Sequence, residues 1–268
     1  MTKIRVGDQN LKDSSDDDLA KTYEVKSIIK HDMYNGQGPR NDLAIVFTKT
    51  DIEFNAKVQK IKLPEAISDV QDKYADKYAK MLGWGMVDQN KQPSDSLQVA
   101  DFKVFTTNFC TPKFRNQPVK KRLQEMNIFC SGSEDISAWT CPGDSGSPLV
   151  RIENGNEAKA IGILHGSNHT TCTKTTFQSP SLFANLEYEE NFEFIRTWVS
   201  IGYFMSAYND NSLFHYLDGL DPNAQIQDLW IVYPSNEEIY ASILSGRQKN
   251  PKFNSQGKDQ RDVTKYLI

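Results

Sequence analysis

The sequence lacks long apolar runs and a strong charge of either sign. None of its 268 residues lies in an apolar run long enough to span a membrane, and Met1 to Ala20 lacks the apolar core of a secretory signal. The net charge of -4 provides no basic surface for nucleic acid. These absences argue against membrane and nucleic-acid partners, while a hydrophobic content of 38% is enough for one large or two modest cores.

The sequence also has few cysteines and no clear metal-binding motif. The four cysteines, at positions 110, 130, 141 and 172, allow three pairings or could be free thiols of a cytosolic protein. The acidic run from Asp13 to Asp18 could supply carboxylates to calcium, but its spacing matches no calcium loop and favours a solvated loop. We therefore expect no metal and no cofactor.

Short alternating stretches of apolar and polar residues predict antiparallel strands. They occur at Tyr23 to Ile29, Leu43 to Phe47 and Leu97 to Phe105, with Gly, Pro, Asn and Asp between them. The pattern predicts an all-β protein up to about residue 190.

The segment from Cys141 to Val150 has the composition of a nucleophile loop. It places Ser145 between Gly143 and Gly146 and directly after Asp144. A serine hydroxyl is a weak nucleophile that needs a base and donors for the oxyanion, and glycine permits turns that present backbone N–H groups. Taken alone, such a turn is more often an ordinary loop.

Further motifs occur in a fixed order around this loop, and together they resemble the chymotrypsin/trypsin family of serine endopeptidases over about residues 4 to 200. They are His31-Asp-Met-Tyr34, Asn41-Asp42-Leu43-Ala44, Leu63-Pro64, Gly83-Trp84-Gly85, Leu97-Gln98, Phe129-Cys130, Gly162-Ile163 and Phe194-Ile-Arg-Thr-Trp198. The resemblance implies two Greek-key β-barrels with the active site between them.

The resemblance also implies roles for individual residues. Ser145 would be the nucleophile, Asp42 the buried acid that orients the catalytic histidine, and the N–H groups of Gly143 and Ser145 the oxyanion hole. Asp42 could instead be a surface aspartate that caps a turn. In the family, Asp144 would pair with an amino terminus freed by activation cleavage.

The general-base histidine has no match. The family places it in a Thr-Ala-Ala-His-Cys type segment ahead of Asp42, whereas Met1 to Gly7 resembles the strand that follows that segment. We therefore expect the first strands, the cleavage site and the base to be missing, and the chain to be inactive as it stands. An unpaired, buried Asp144 would be costly, which predicts a relaxed, zymogen-like loop.

Two histidines need separate interpretations. His31 matches a non-catalytic histidine of the family and is predicted to be structural. His165 stands where the family usually has a serine beside the orienting aspartate, which leads to the hypothesis that His165 lies near Asp42. A packed histidine on the substrate-binding strand is favoured over a replacement base.

The substrate pocket departs most from the family pattern. Trp139 stands where the family's pocket floor lies and is followed by Thr140, while His165, Gly166 and Ser167 replace the usual Ser-Trp-Gly strand. A preference for basic residues is therefore not supported. Preference for small side chains, no preference, or lost substrate binding remain open, and Trp139 could also be an aromatic residue of a surface loop.

The family's bridges imply the disulfides Cys110–Cys130 and Cys141–Cys172. Paired cysteines indicate an oxidising compartment, and Asn168 begins a possible glycosylation site, so an extracellular location is expected although no signal peptide is present.

The chain divides into four predicted regions. Residues 1-64 form a remnant of the first barrel, 65-78 a polar linker, 79-200 the second barrel with a C-terminal helix near 191–199, and 201-268 an extension of unknown role. Within the extension we expect a small α/β unit, with a strand at 229–233, a helix from 235 to 244, and a polar stretch at 248–262. An opened first barrel would expose strand edges and favour self-association.

Two functions follow from these observations. One is a trypsin-like serine endopeptidase domain that acts on polypeptides but lacks its N-terminal part with the base histidine. The other is a catalytically inactive homologue that serves as a binding or regulatory module for a protein partner. The intact segment from Gly143 to Gly146 favours the first, while Trp139 and His165 favour the second.

Overall fold

The computed structural model describes residues 3–12, 19–36, 38–65, 70–87, 92–134, 138–153, 157–167 and 180–208, the last eight of them as backbone only. The predictions for the acidic run at 13–18, for Asn168, for Cys172 and for the extension beyond residue 208 lie outside the described residues.

The first half of the chain forms an open antiparallel sheet. It contains β1 (Lys3–Val6), β2 (Lys21–Lys30) and β3 (Ala44–Thr48), in the order β1-β2-β3. A bulge between Val25 and Ser27 shifts the register of β2 against β3. In the part of the chain that the structure describes, β1 and β3 each pair with β2 alone, so the sheet has two edges.

The second half forms a closed six-stranded barrel. Its strands are β4 (Tyr78–Gly83), β5 (Gln98–Val104), β6 (Ile128–Gly132), β7 (Pro148–Glu153), β8 (Glu157–Ser167) and β9 (Ser181–Asn185). They follow the order β4-β5-β6-β9-β8-β7, and β7 pairs with β4 to close the barrel. Along β5 every second residue is buried, as expected for a strand with one face toward a core. The prediction of a mostly β protein with a closed second barrel is confirmed.

In the described ranges, three helices accompany the strands. The short helices α1 (Thr107–Cys110) and α2 (Gln117–Gln124) lie between β5 and β6, and a 3-10 turn at Thr111–Lys113 joins them. Neither helix was expected from the sequence. The C-terminal helix α3 (Glu189–Tyr208) begins near its predicted start but continues past residue 199. None of the helices in the described ranges is both long and apolar enough to cross a membrane.

The two halves share one apolar core. Ile45 of β3 and Leu43, which directly precedes that strand, pack in a cluster with Ile163 of β8 and with Phe194 and Ile195 of α3. The linker predicted at 65-78 contacts the second barrel from residue 70 onward. Val70 is buried, and the Asp72 carboxylate accepts hydrogen bonds from the backbone N–H and the hydroxyl of Thr107. This shared core sets the relative positions of Asp42, β8 and the nucleophile loop.

Candidate active site

The nucleophile loop is a tight turn that precedes β7. The Asp144 N–H donates to the Cys141 carbonyl (3.0 Å), and the Ser147 N–H donates to the Asp144 carbonyl (3.1 Å). Gly143 and Gly146 have φ angles of 94° and 88°, which residues with a side chain rarely adopt. The backbone conformation of this turn therefore requires glycine at both positions. The turn leaves Ser145 exposed at its tip.

Strand β8 holds this loop in place. The Gly146 N–H donates to the Leu164 carbonyl (2.8 Å), and the Leu164 N–H donates to the Ser147 carbonyl (2.9 Å). The Ser145 hydroxyl donates to the carbonyl oxygen of His165 (3.3 Å). Among the described residues, the N–H groups of Gly143 and Ser145 donate to no acceptor, so both are available to an oxyanion.

Asp144 is buried beneath the loop, with only 4% of its surface exposed. Its Oδ1 accepts a hydrogen bond from the Gly85 N–H (2.7 Å) and its Oδ2 accepts one from the Cys141 N–H (2.8 Å). Backbone N–H groups stabilise a carboxylate by charge-assisted hydrogen bonds. The predicted relaxation of the loop assumed an uncompensated charge on Asp144, and that assumption is wrong for this arrangement.

The Gly83-Trp84-Gly85 motif has a steric reason that the sequence did not reveal. A Cβ atom on either glycine would overlap the Asp144 carboxylate. Glycine at both positions allows the end of β4 and the residues after it to approach Asp144 closely. Two glycines separated by one residue are the signal that could have indicated this contact.

Asp42 is presented by a strained turn just before β3. Asn41 is fully buried and has a φ angle of 51°, a left-handed conformation that asparagine tolerates better than most residues. The Asn41 Oδ1 accepts a hydrogen bond from the Asn127 amide (2.6 Å), which ties this turn to the second barrel. Sequence reasoning missed this asparagine pair.

His165 contacts Asp42 directly. The His165 Nδ1 lies 2.6 Å from the Asp42 Oδ2, which confirms the hypothesis that these two residues are close. His165 sits in a β-bulge, because Leu164 pairs with Phe183 and Gly166 with Leu182. The Asp42 side chain remains 33% exposed and that of His165 26%, so the description of Asp42 as buried is wrong.

His31 lies elsewhere, against α3. Its Nδ1 accepts a hydrogen bond from the Met33 N–H (3.2 Å), so its Nε2 carries the proton and donates to the Glu190 carbonyl (3.3 Å). Its ring packs against Phe194 at a centroid distance of 4.5 Å. Burial lowers the pKa of the His31 imidazole, which favours the neutral form. These contacts agree with the structural role predicted for His31.

The predicted pocket residues cluster near the ends of β8 and β9. The Thr140 side chain is buried and its hydroxyl shares a hydrogen bond with the Ser181 hydroxyl (2.8 Å), and Ser181 pairs with Ser167 across the two strands. Gly166 and Ser167 are half-buried. Trp139 is half-buried as well, and it follows Ala138 of the barrel core, so it is not a fully exposed loop aromatic.

The structure contains the disulfide Cys110–Cys130, as predicted. It links α1 to β6, and both cysteines are fully buried. Cys141 is also disulfide-bonded, but its predicted partner, Cys172, lies outside the described residues. Within the described ranges no cluster of three or more His, Cys, Asp or Glu side chains could hold a metal ion.

Comparison with known proteins gives a consistent picture. The family model described as Trypsin matches residues 1–189. Clotting factor C of Tachypleus tridentatus is 30% identical over 175 residues, which cover 64% of this chain and 17% of that protein. The Spaetzle-processing enzyme of Drosophila melanogaster is 33% identical over 129 residues, which cover 47% of this chain and 31% of that protein. A trypsin of Xenopus laevis is 25% identical over 149 residues, which cover 55% of this chain and 56% of that trypsin.

The chain thus matches less than two thirds of the length of each of these relatives. Among solved structures, neuropsin, a serine protease of mouse brain, superimposes with a TM-score of 0.55 at 20% identity. The superposition covers 74% of this chain and 78% of neuropsin, and it supports the fold.

Proposed function

Because this chain belongs to the trypsin family of serine proteases, we propose that it is an endopeptidase domain in which Ser145 attacks the peptide carbonyl of a polypeptide. The observation that carries this proposal is the arrangement of the nucleophile loop. Ser145 is exposed at its tip, two backbone N–H groups beside it are available, and the buried Asp144 fixes the turn from below.

The loop supplies two of the three elements that acyl transfer requires. The Ser145 Oγ is the nucleophile, and the N–H groups of Gly143 and Ser145 would bind the negative charge that develops on the carbonyl oxygen. The third element is a base that accepts the hydroxyl proton. No segment of the sequence resembles the histidine motif of the family, and the imidazole that contacts Asp42 belongs to His165.

The substrate class follows from the pocket. Trp139 occupies the sequence position at which an aspartate would select basic side chains. The Thr140 hydroxyl is hydrogen-bonded to the Ser181 hydroxyl and is therefore not free to bind a substrate side chain. We therefore propose that the residue before the cleaved bond has a small side chain, or that the site shows no preference at that position. An extracellular site of action is proposed because the buried disulfide Cys110–Cys130 is stable in oxidising compartments.

A second candidate function is a homologue that binds a protein partner without cleaving it. It is supported by the aromatic side chain at position 139 and by the replacement of the usual serine with His165. In that case the Ser145 hydroxyl would not react, and the loop would be retained for its shape.

Labelling with a fluorophosphonate probe separates the two functions, because the probe reacts only with an activated serine. The expectation of an inactive chain rested on the absence of the family's histidine motif. Because His165 contacts Asp42 and its backbone carbonyl contacts Ser145, we now expect the intact chain to be labelled on one site and the variant Ser145→Ala to be unlabelled, with equal melting temperatures. Ser147→Ala is the matched control, because Ser147 lies two residues further along the same loop and should leave labelling intact. An unlabelled wild-type chain would favour the binding module.

A further inference from the structure

We infer that His165 is the general base for Ser145 and that Asp42 is the acid that orients it. This inference rests on the proposed function, and it assigns to one residue of β8 the role that the family gives to a histidine ahead of Asp42. It rests on three observations: the bond between His165 and Asp42, the free second nitrogen of the imidazole, and the position of Ser145 beside the same residue.

The bond to Asp42 fixes the tautomer of His165. An ionised carboxylate only accepts hydrogen bonds, so the Nδ1 of His165, 2.6 Å from the Asp42 Oδ2, must carry a proton. In the neutral imidazole the lone pair is then on Nε2. A general base of the serine-hydrolase type needs this arrangement, with Nδ1–H toward the acid and an unprotonated Nε2 toward the nucleophile.

The Nε2 of His165 is available. Among the described residues it makes no hydrogen bond, and the side chain is 26% exposed, so the lone pair is not engaged by the fold. His31, by contrast, has both ring nitrogens hydrogen-bonded, through the Met33 N–H and the Glu190 carbonyl. The two histidines of the described region therefore differ in whether a ring nitrogen is left to accept a proton.

Ser145 lies next to the same residue. Its hydroxyl donates to the backbone carbonyl of His165 (3.3 Å), at the point where the β-bulge breaks the pairing of β8 with β9. For His165 to act as the base, the Ser145 hydroxyl must leave this carbonyl, by rotation about the Cα–Cβ bond, and donate to the imidazole Nε2. Catalytic hydrogen bonds often tighten only when substrate is present.

The chemical step balances without any further reactant. As the bond from the Ser145 Oγ to the substrate carbonyl carbon forms, the hydroxyl proton passes to the His165 Nε2, and the carbonyl electron pair moves onto the oxygen. The imidazolium is stabilised by Asp42, and the oxyanion by the N–H groups of Gly143 and Ser145. When the C–N bond breaks, the same proton passes to the leaving amine. Water then repeats the sequence on the acyl group.

The test compares the fluorophosphonate labelling rates of His165→Gln and His31→Gln, each corrected for the folded fraction. His31→Gln is the matched control, because it makes the same change in a histidine that bonds only to backbone groups near α3. We expect His165→Gln to lower the rate roughly 10²- to 10⁴-fold, the usual contribution of a general base, and His31→Gln to leave it unchanged.

Added imidazole distinguishes a base from a residue that only positions the loop. We expect it to restore part of the lost rate in His165→Ala. A wild-type rate in both His165 variants would overturn the inference while leaving Ser145 as nucleophile. A lost rate that imidazole does not restore, with unchanged melting, would assign His165 a positioning role and also overturn it.

Two further outcomes are decisive. If the His165 variants do not fold, Asp42→Asn carries the test, because an amide at this position favours the wrong tautomer and should slow labelling about 10²-fold or more. A wild-type rate in folded Asp42→Asn would overturn the inference. An unlabelled wild-type chain would overturn the proposed function and this inference together.

Discussion

At the residue scale, the site depends on close approach of backbone to a buried carboxylate. Asp144 is stabilised by N–H groups from two places in the chain, Gly85 and Cys141. Position 85 has no room for a side chain, because the carboxylate occupies the space that a Cβ would need. The order of the nucleophile loop is therefore sensitive to one methyl group placed on a distant turn.

The variant Gly85→Ala tests this dependence. We expect it to lower the free energy of unfolding by about 1–3 kcal/mol, the usual cost of forcing extra atoms into a packed site. The matched control is Gly166→Ala, because a Cβ at position 166 would meet no atom within 4 Å. Urea unfolding of both variants measures the difference, and equal stabilities would contradict the described approach of Gly85 to Asp144.

His31 predicts a pH dependence of stability. Burial lowers the pKa of its imidazole, with partial opposition from Glu190, so the unfolded chain binds a proton more readily than the folded one. The stabilisation from the neutral ring is fully present above about pH 6.5, the ordinary value for histidine, and is lost as the pH falls through the lower folded pKa. Other titratable groups affect the stability of wild type and of a variant without this imidazole equally, so the difference between the two reports on His31 alone.

We therefore expect the stability difference between wild type and His31→Gln to shrink between pH 7.5 and pH 5. Denaturant unfolding at several pH values measures that difference directly. A difference that stays constant or grows over this range would show that the folded pKa of His31 is not lowered.

At the element scale, the short helix α1 next to β6 is held at both of its ends. The four-residue helix α1 is too short to be stable by itself. The Thr106 hydroxyl caps it by accepting a hydrogen bond from the Phe109 N–H (3.2 Å), and Cys110 anchors it to β6. Helix α2 differs, because Asn116 stands at its cap position without a side-chain hydrogen bond.

This difference yields a paired prediction. Thr106→Ala should lower the free energy of unfolding by about 1 kcal/mol, the typical cost of a lost N-cap. Asn116→Ala should change it by only a few tenths, because no capping bond is lost there. Thermal or urea unfolding of both variants provides the comparison, and an equal loss in the two would show that the Thr106 hydroxyl does not stabilise α1.

The sequence could predict elements whose pattern is local. Alternation located β2, β3 and β5, and the family resemblance located α3 near its start. Helices α1 and α2 escaped because four and eight residues carry little periodicity, and only Thr106 and Pro118 indicate their beginnings. Tertiary contacts, rather than helix propensity, make these segments helical.

The same distinction applies to the site. The loop around Ser145 and the turn at Asp42 follow motifs, and the position of His165 in the series suggested its contact with Asp42. The support of Asp144 by Gly85 joins residues 59 positions apart, and the bond between Asn41 and Asn127 joins residues 86 positions apart. Such contacts depend on how the two halves pack, which no local pattern encodes.

At the scale of the whole molecule, a closed barrel is joined to an open sheet. The barrel has no free edge, whereas β1 and β3 each have one strand partner in the described ranges. Ile28 of β2 is 49% exposed on this sheet, beside Val46 of the edge strand β3. An exposed apolar residue next to a strand edge favours pairing with a second chain.

We therefore expect the purified chain to self-associate through this sheet. Ile28→Lys should reduce the concentration-dependent mass measured by sedimentation, because a charge on the exposed face of the sheet opposes its burial against a second chain. Leu11→Lys is the matched control, since Leu11 is 56% exposed but lies outside the strands. A single monomer species at all concentrations would exclude this association.

The donors that hold Asp144 have an evolutionary consequence. Because they are amides of the main chain, mutation of most neighbouring side chains leaves the donors themselves in place. Among single substitutions, proline at position 85 or 141 would delete one of these two donors outright. Selection can therefore alter the groove around the serine extensively, and change what the protein recognises, while the turn that presents the hydroxyl keeps its shape.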